Sequence, residues 1–246
     1  MNVPYAYAAL TLAMSTPKEP LPASEVAAAI TAHALRLNDR FTIEVVEAFT
    51  TCPFARAARL AGRARRDVLL QSETDAEPVL QAIDRFECGD SDVEIVQLIF
   101  PRIGASAREF DEFVSRVRAT RAAQPRDAVF ALASFHPDYG YDGATADSMT
   151  PFFRRTPDPT IQLVRLAVLD ALAREPGPRT PTPDQVDGFL RGIAPPPVSL
   201  SAWIARENFA RVQRDGAGAI AAIYASISAD RARSYEAANA VRETYE

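Results

Sequence analysis

The chain has 246 residues, of which 48% are hydrophobic and 24% charged, a composition typical of a globular protein built on one large domain. Its formal net charge of −5 predicts no nucleic-acid partner and no attraction to acidic membrane lipids. Its two histidines, His33 and His136, exclude a metal site made of three histidines, and its two cysteines are too few for a disulfide framework. We therefore expect a reduced, cytoplasmic setting.

The chain divides into four predicted segments. Residues 1–22 form an N-terminal arm; its apolar stretch is shorter than the roughly 20 residues of a membrane span and lacks a basic start, so no membrane association is expected. Residues 23–174 form an α/β core domain. Residues 175–200 form a proline-rich connector, and residues 201–246 form a helical C-terminal extension packed on the core.

Two helices are predicted at the start of the core. The first begins at Ser24 and carries apolar residues at helical spacing up to Leu37, with His33 beside that face as a core or boundary residue. The second runs from Phe41 to Phe49. Its inward residues are expected to be Ile43, Val46 and Phe49.

Cys52 follows the second helix and precedes Pro53. If Pro53 is the first residue of a new helix, Cys52 is its N-cap, and the helix dipole there favours the thiolate form. Cys52 is therefore a candidate nucleophile or metal ligand. The alternative is a buried structural cysteine.

Strand-like and helical segments then alternate along the chain. The predicted strands are Asp67–Leu70, Val93–Phe100 and Ala128–Ala133, with helices at Glu77–Phe86 and around Phe110–Val117. Strands connected by helices imply crossover connections. The predicted fold class is α/β, with a small, mainly parallel sheet of three or four strands flanked by helices and a helical C-terminal extension.

The third strand leads directly into Ser134-Phe135-His136-Pro137-Asp138-Tyr139. Polar residues at the carboxyl edge of a sheet are typical of a binding site. His136 is the candidate acid–base group because an imidazole titrates near neutrality, and Asp138 and Tyr139 are further catalytic candidates. As alternatives, His136 binds a loop carbonyl, Asp138 forms a turn and Tyr139 packs as an aromatic ring.

Arginines dominate the following stretch. The sequence from Arg154 to Pro159 is expected to open a helix, with a further apolar helix at Ile161–Ala173. Helix amides and guanidinium groups together suit a carboxylate or phosphate, so Arg154, Arg155 and Arg165 are candidate substrate-binding residues. We expect Arg155 to point into the pocket and Arg154 to stay on its rim. Arg165 would alternatively pair with a buried carboxylate.

Three of these segments carry a resemblance to a known family. Cys52-Pro53-Phe54-Ala55, Ser134 to Tyr139 and Arg155 to Arg165 resemble the motifs CPFA, SFHPxY and NRSPYPxLHLLRE of an uncharacterised bacterial family of domains of unknown function. The resemblance covers roughly residues 41–216, and Arg206-Glu207-Asn208 is similar to a later ERN motif. It implies common ancestry and no particular activity.

The chain departs from the third motif at four positions. Gln162 stands where the family has histidine, Leu166 where it has glutamate, Asp158 where it has tyrosine and Arg154 where it has asparagine. If family members use that histidine and glutamate as ligands or acid–base groups, this chain has lost or changed the chemistry.

The leading functional prediction is a small-molecule enzyme of specialised metabolism acting on an anionic substrate. His136 and Cys52 would share one pocket with the arginines. The first alternative is a protein that binds haem or a single divalent metal ion through His136 or Cys52. The second is a non-catalytic binding or scaffold protein, which the missing histidine and glutamate favour. The oligomeric state is left open.

Overall fold

The computed structural model describes residues 23–89, 92–174 and 200–243. The predicted N-terminal arm and residues 175–199 of the predicted connector lie outside these ranges. The helices are α1 (Ala23–Phe41), α2 (Ala55–Leu60), α3 (Glu77–Cys88), α4 (Ala107–Ala122), α5 (Ala146–Met149), α6 (Leu166–Arg174), α7 (Leu200–Asp215) and α8 (Ala217–Glu243), with a π-helical turn at Thr42–Glu47 and a 3₁₀ turn at Thr150–Arg154. The strands are β1 (Ala64–Val68), β2 (Ile95–Ile99), β3 (Phe130–Phe135) and β4 (Thr160–Arg165).

The four strands form one mixed sheet in the order β1-β2-β4-β3. β1 and β2 are parallel, whereas β4 is antiparallel to both β2 and β3. The α/β class is confirmed, but the prediction of a mainly parallel sheet is wrong. β1, β2 and β3 do run in one direction, as helical crossovers require, and β4 is inserted between two of them in the opposite direction.

The error arises at residues 160–174, where one helix was predicted and a strand followed by α6 is found. Ile161 and Leu163 are β-prone or apolar and point into the core, whereas Gln162 between them lines the opposite face, as in a strand. Pro157 and Pro159 favour an extended chain immediately before it. The unpaired edges of β2 and β3 supply hydrogen-bond partners on both sides of β4, which explains why the strand wins over the helix.

One face of the sheet packs against α3 and α4. The side chains from the sheet in this core include Val96, Leu98, Phe130, Ile161 and Leu163, all 3% exposed or less. Phe100 meets Phe110 and Phe113 of α4 edge-to-face, with ring centroids 5.7 and 6.2 Å apart. This is the main hydrophobic core, and it fixes the orientation of every strand.

Helix α1 continues directly into the π-helical turn on the other side of the molecule. The wider π-helical register buries Val45 and leaves Ile43 49% exposed, so the predicted inward position of Ile43 is wrong. Phe41 at the junction is 1% exposed. The turn therefore changes which face of the helix reaches the core.

The C-terminal helices pack on the core, and α8 runs alongside α1. Asp230 of α8 accepts hydrogen bonds from Arg40 at 2.6 Å and Arg36 at 2.7 Å, and these guanidinium groups hold the pKa of Asp230 well below its ordinary value. Tyr224 of α8 donates a hydrogen bond to the carbonyl oxygen of Phe152 at 2.9 Å. None of the helices in the described ranges is long and apolar enough to cross a membrane.

Candidate functional site

Two ligand-sized cavities lie on either side of Phe41. The first has a volume of about 440 Å³ and lies where the chain leaves β2 and β3, covered by α8. We call it the Arg155 cavity. Its walls include His136, Arg155, Tyr224 and Arg231. The second, about 340 Å³, is the Cys52 cavity; its walls include Cys52, Phe135, Arg154, Gln162 and Asn208.

Cys52 and His136 therefore line different cavities, and the predicted shared pocket is wrong. The alternation of side chains along β3 is the physical reason. Ala133 and Phe135 point into the Cys52 cavity, whereas Ser134 points the other way and bonds to Asp111 of α4. A joint catalytic role for Cys52 and His136 loses its geometric basis.

His136 is 2% exposed and has both ring nitrogens in hydrogen bonds. Its Nδ1 accepts the backbone N–H of Asp138 at 3.1 Å, so Nε2 carries the proton and donates to the carbonyl oxygen of Ala105 at 3.0 Å. Burial lowers the pKa of His136 in spite of the Ala105 carbonyl. The neutral ring links two loops through these hydrogen bonds, in agreement with the alternative in which His136 binds a loop carbonyl.

Asp138 and Tyr139 do not join His136 in a catalytic group. The Asp138 carboxylate is 82% exposed and lies 3.9 Å from Nδ1 of His136. The hydroxyl groups of Tyr139 and Ser134 both bond to the Asp111 carboxylate, Ser134 at 2.5 Å, and burial raises the pKa of Tyr139. This cluster ties the end of β3 to α4. Asp111 was missed because nothing in the sequence distinguishes it from other acidic residues of α4.

The three candidate arginines point to three different places. Arg155 is half-buried in its cavity: its Nε donates to the carbonyl oxygen of Pro137 at 3.1 Å, and its guanidinium carbon lies 5.8 Å from the centroid of the Tyr224 ring. Arg154 is exposed at the rim of the Cys52 cavity. Arg165 ends β4, and its Nε donates to the carbonyl oxygen of Val93 at 2.6 Å.

The helix predicted to begin at Arg154 is absent. Arg154 is the last residue of the 3₁₀ turn, and the next five residues lead into β4. No helix N-terminus is therefore available there to bind an anion, and only the guanidinium groups remain. Because β4 spans roughly 20 Å, Arg165 also lies at the far end of the sheet from Arg155.

Asp158 holds α8 against the sheet. It is 1% exposed, and its two oxygens accept hydrogen bonds from Nε of Arg231 and the hydroxyl of Tyr235, both at 2.7 Å. Burial raises the pKa of Asp158, while Arg231 and Tyr235 pull it down. This contact places Arg231 in the wall of the Arg155 cavity. Sequence reasoning missed Arg231 because 73 positions separate it from Asp158.

The loop that carries Cys52 is held by α7. Thr50 has a φ of 49°, a left-handed conformation that is uncommon for a β-branched residue. Arg211 donates to the carbonyl oxygen of Thr50 at 2.8 Å, and the amide of Asn208, which is 6% exposed, donates to that of Thr51 at 3.0 Å. These bonds fix the position of Cys52 above the sheet.

Cys52 is not the cap of a helix. Helix α2 begins at Ala55, has only six residues and takes Phe54 as its N-cap. Burial raises the pKa of the Cys52 thiol to about 11, although the backbone N–H groups of Phe54 and Ala55 partly oppose the rise. The predicted thiolate is therefore not supported, because Cys52 caps no helix and desolvation outweighs these two backbone hydrogen bonds.

The segments that carry the family resemblance converge on the Cys52 cavity. Cys52, Phe135, Gln162 and Asn208 belong to four separate segments of the chain, and all four line this cavity. Gln162, the position at which the motif has histidine, faces the interior. Leu166, the position of its glutamate, begins α6 and does not line the cavity.

The residues around His136 do not fit the predicted haem or metal site. Within the described ranges, no group of three or more His, Cys, Asp and Glu side chains is arranged to hold a metal ion. Both nitrogens of His136 are occupied by backbone groups, so neither is available as an axial ligand without a rearrangement.

The described residues define an α/β protein with a four-stranded mixed sheet, helices on both faces and separate Arg155 and Cys52 cavities. A family model described as a protein of unknown function (DUF1415) matches residues 37–180. The chain belongs to this family, which confirms the resemblance to a family of unknown function. No curated protein and no solved structure matches the chain. The match ends before α7 and α8, so Arg231 lies outside it.

Proposed function

We propose that the protein binds a small anionic molecule, a carboxylate or a phosphate, in the Arg155 cavity. The observation that carries the proposal is the half-buried guanidinium of Arg155. Its Nε is fixed by the Pro137 carbonyl, and within the described part of the chain its terminal nitrogens have no hydrogen-bond partner and no carboxylate. A guanidinium group held in this way is oriented for bidentate hydrogen bonding to an oxyanion.

The other charged groups around the cavity are paired with each other or exposed to water, and none of them is paired with Arg155. Arg231 is paired with buried Asp158, so this pair contributes little net charge. Asp138 also borders the cavity, but its carboxylate is 82% exposed and is screened by water. Within the described residues Arg155 has no carboxylate partner of its own, since buried Asp158 is paired with Arg231, and a bound anion would supply that charge.

The volume of about 440 Å³ is within the ordinary range for a small metabolite. Arg231 and Arg155 come from two elements, α8 and the segment before β4, so an anion between them would contact two parts of the chain. A site formed by separate elements selects for the shape of its ligand as well as its charge.

The geometry favours binding over catalysis. The neutral His136 ring uses both nitrogens, and the Cys52 thiol lies in the other cavity with a pKa of about 11. Neither side chain is prepared for acid–base or nucleophilic chemistry in this arrangement. The enzyme of specialised metabolism stays a prediction, and non-catalytic binding, the second alternative from the sequence, receives the better geometric support.

Calorimetric titration with inorganic phosphate and with citrate at fixed ionic strength tests the proposal. Loss of a charge-assisted contact costs about 1.5–3 kcal/mol, so Arg155→Gln should weaken binding by about one to two powers of ten. Arg155→Lys should recover only part of the loss because the planar fork is gone.

Arg154→Gln is the matched control, since it removes the same charge one residue away and outside the Arg155 cavity. It should change the affinity less than about threefold, through long-range charge alone. Equal losses at Arg154 and Arg155, or no measurable binding by the wild-type protein, would contradict the proposal. Thermal melting of each variant establishes that the fold is intact.

A further inference from the structure

Two side-chain amides without partners lie on the sheet, one in the wall of the Cys52 cavity and the other in the wall of a small adjoining space. Gln97 of β2 and Gln162 of β4 lie directly opposite each other in the antiparallel pair, so their side chains project from the same face of the sheet. Both line a small space of about 70 Å³ that shares Cys52 and Gln162 with the Cys52 cavity. Within the described residues, neither side-chain amide makes a hydrogen bond.

Paired amides in this position present a defined pattern of hydrogen-bonding groups. Each carboxamide has two N–H donors and one carbonyl acceptor. A half-buried amide that finds no partner in the protein costs free energy, and a ligand with the complementary pattern removes this cost. The complement of an amide is another amide, which offers one donor and one acceptor side by side.

The charges around this end of the cavity are balanced. Arg66 is paired with Asp39, and Arg59 donates to Glu47 at 2.5 Å. Arg154 and Asp147 both line the Cys52 cavity, and their opposite charges offset each other. In contrast to the Arg155 cavity, this one offers no half-buried cation in excess, so an anion gains little by entering it.

The rest of the Cys52 cavity is mostly apolar. Phe54, Phe135, Phe153 and Ile204 contribute its larger hydrophobic surfaces. Burial also raises the pKa of the Cys52 thiol in the wall of this cavity. A ligand with an aromatic or aliphatic group therefore suits the Cys52 cavity, provided that its one polar end is directed at Gln97 and Gln162.

We infer that the Cys52 cavity is a second binding site, for a neutral, mainly apolar molecule with one carboxamide or lactam group that is held by Gln97 and Gln162. This site is independent of the anion site proposed at Arg155. It takes a different class of ligand and uses none of the same charged residues.

Fluorescence titration with 2-naphthamide and 2-naphthoate tests the inference, because the two probes have the same size and differ in charge and in the donor group. Two neutral hydrogen bonds correspond to roughly a tenfold difference, so the wild-type protein should bind the amide at least about tenfold more tightly than the carboxylate. The side-chain NH₂ resonances of Gln97 and Gln162 should shift on addition of the amide in a ¹H–¹⁵N spectrum.

The decisive variant replaces both residues, Gln97→Met and Gln162→Met. Because neither amide has a partner in the protein, the double variant should fold as stably as the wild type while its preference for the amide falls to about one. Gln81→Met, the same substitution on the exposed face of α3, should leave both affinities unchanged. Arg155→Gln should bind 2-naphthamide as the wild type does, which separates this site from the anion site.

The inference would be overturned by equal binding of both probes by the wild type, by no binding of 2-naphthamide at millimolar concentration, or by an amide preference that survives in the double variant. A marked loss of stability in the double variant would also do so, since it would mean that the two amides have partners within the protein. None of these outcomes bears on phosphate binding at Arg155.

Discussion

The two cavities differ in how their walls are built, and this difference explains the difference in their chemistry. The Arg155 cavity is bounded by loops at the end of the sheet and by α8, which can project long charged side chains such as Arg155 and Arg231 into it. The Cys52 cavity rests on the face of the sheet itself, where the strands supply short or uncharged side chains such as Ala133 and Gln162. Charge is concentrated at the edge of the sheet, and neutral polar groups on its face.

The largest expected effect concerns the contact that attaches α8 to the sheet. Arg231→Ala leaves the Asp158 carboxylate buried without its cation, and we expect a loss of about 3 kcal/mol in the free energy of unfolding, measured by urea denaturation. Asp158→Asn in the same background should recover part of the loss, since a neutral amide costs less to bury.

Arg36→Ala provides the comparison on the outer side of α8. Arg36 is 44% exposed, and its partner Asp230 keeps Arg40, so the loss should be below about 1 kcal/mol. Similar losses for Arg36→Ala and Arg231→Ala would mean that the Asp158 contact is not what holds α8 in place.

The second effect concerns the reactivity of the cysteines. The rise of the Cys52 pKa from 9.0 to about 11 lowers its thiolate fraction by about two powers of ten, and the protein walls slow access further. In single-cysteine variants treated with iodoacetamide at pH 8, Cys52 should react at least about a hundredfold more slowly than exposed Cys88. Comparable alkylation rates would show that the Cys52 thiol is accessible to solvent and reagent, and would restore Cys52 as a candidate nucleophile.

The third effect is a dependence of stability on pH at the edge of the Arg155 cavity. Because burial lowers the pKa of His136, the folded protein takes up a proton there less readily than the unfolded chain, whose histidine pKa is about 6.5. The contribution of His136 is therefore complete above pH 6.5 and is lost as the pH falls below it, by up to about 1.4 kcal/mol per pH unit.

Urea unfolding between pH 7.5 and 5 measures this slope. His136→Gln should reduce the slope, whereas His33→Gln, which leaves His136 in place, should retain it. An unchanged slope in His136→Gln would mean that the ring is accessible to protons in the folded state, as an acid–base group must be.

The smallest effect concerns the loop above the Cys52 cavity. Thr50 has a φ of 49°, and asparagine tolerates this conformation better than a β-branched residue. Thr50→Asn should therefore raise the free energy of unfolding by about 1 kcal/mol while leaving the bonds from Asn208 and Arg211 to the backbone in place. A loss of stability would mean that the Thr50 side chain itself supports the loop.

The sequence predicted those elements whose signals are local. The apolar strands β2 and β3 and the amphipathic helices α3 and α4 are found near their predicted positions. β4 was missed because Thr160–Arg165 is apolar enough to suit either a helix or a strand, and the choice depends on β2 and β3, which are distant in sequence. Tertiary pairing overrides local preference in such a segment.

The candidate sites show the same limit. His136 follows β3 as expected, but Arg155 precedes a strand instead of opening a helix, and Cys52 is not a helix cap. The distribution of these residues between two cavities depends on which face of β3 each neighbouring residue occupies. Three partners were missed: Asp111 lies 23 positions from Ser134, Arg231 lies 73 positions from Asp158, and Asn208 lies 157 positions from Thr51. No periodicity within one segment reveals contacts of this kind.

The location of a bound oxyanion tests the central claim most directly. Crystals soaked in selenate, a tetrahedral stand-in for phosphate, would give an anomalous difference map at the selenium absorption edge. We predict a peak in the Arg155 cavity, with selenate oxygens about 2.7–3.2 Å from the terminal nitrogens of Arg155. A peak at Arg154 or Arg165 with none at Arg155 would contradict the account.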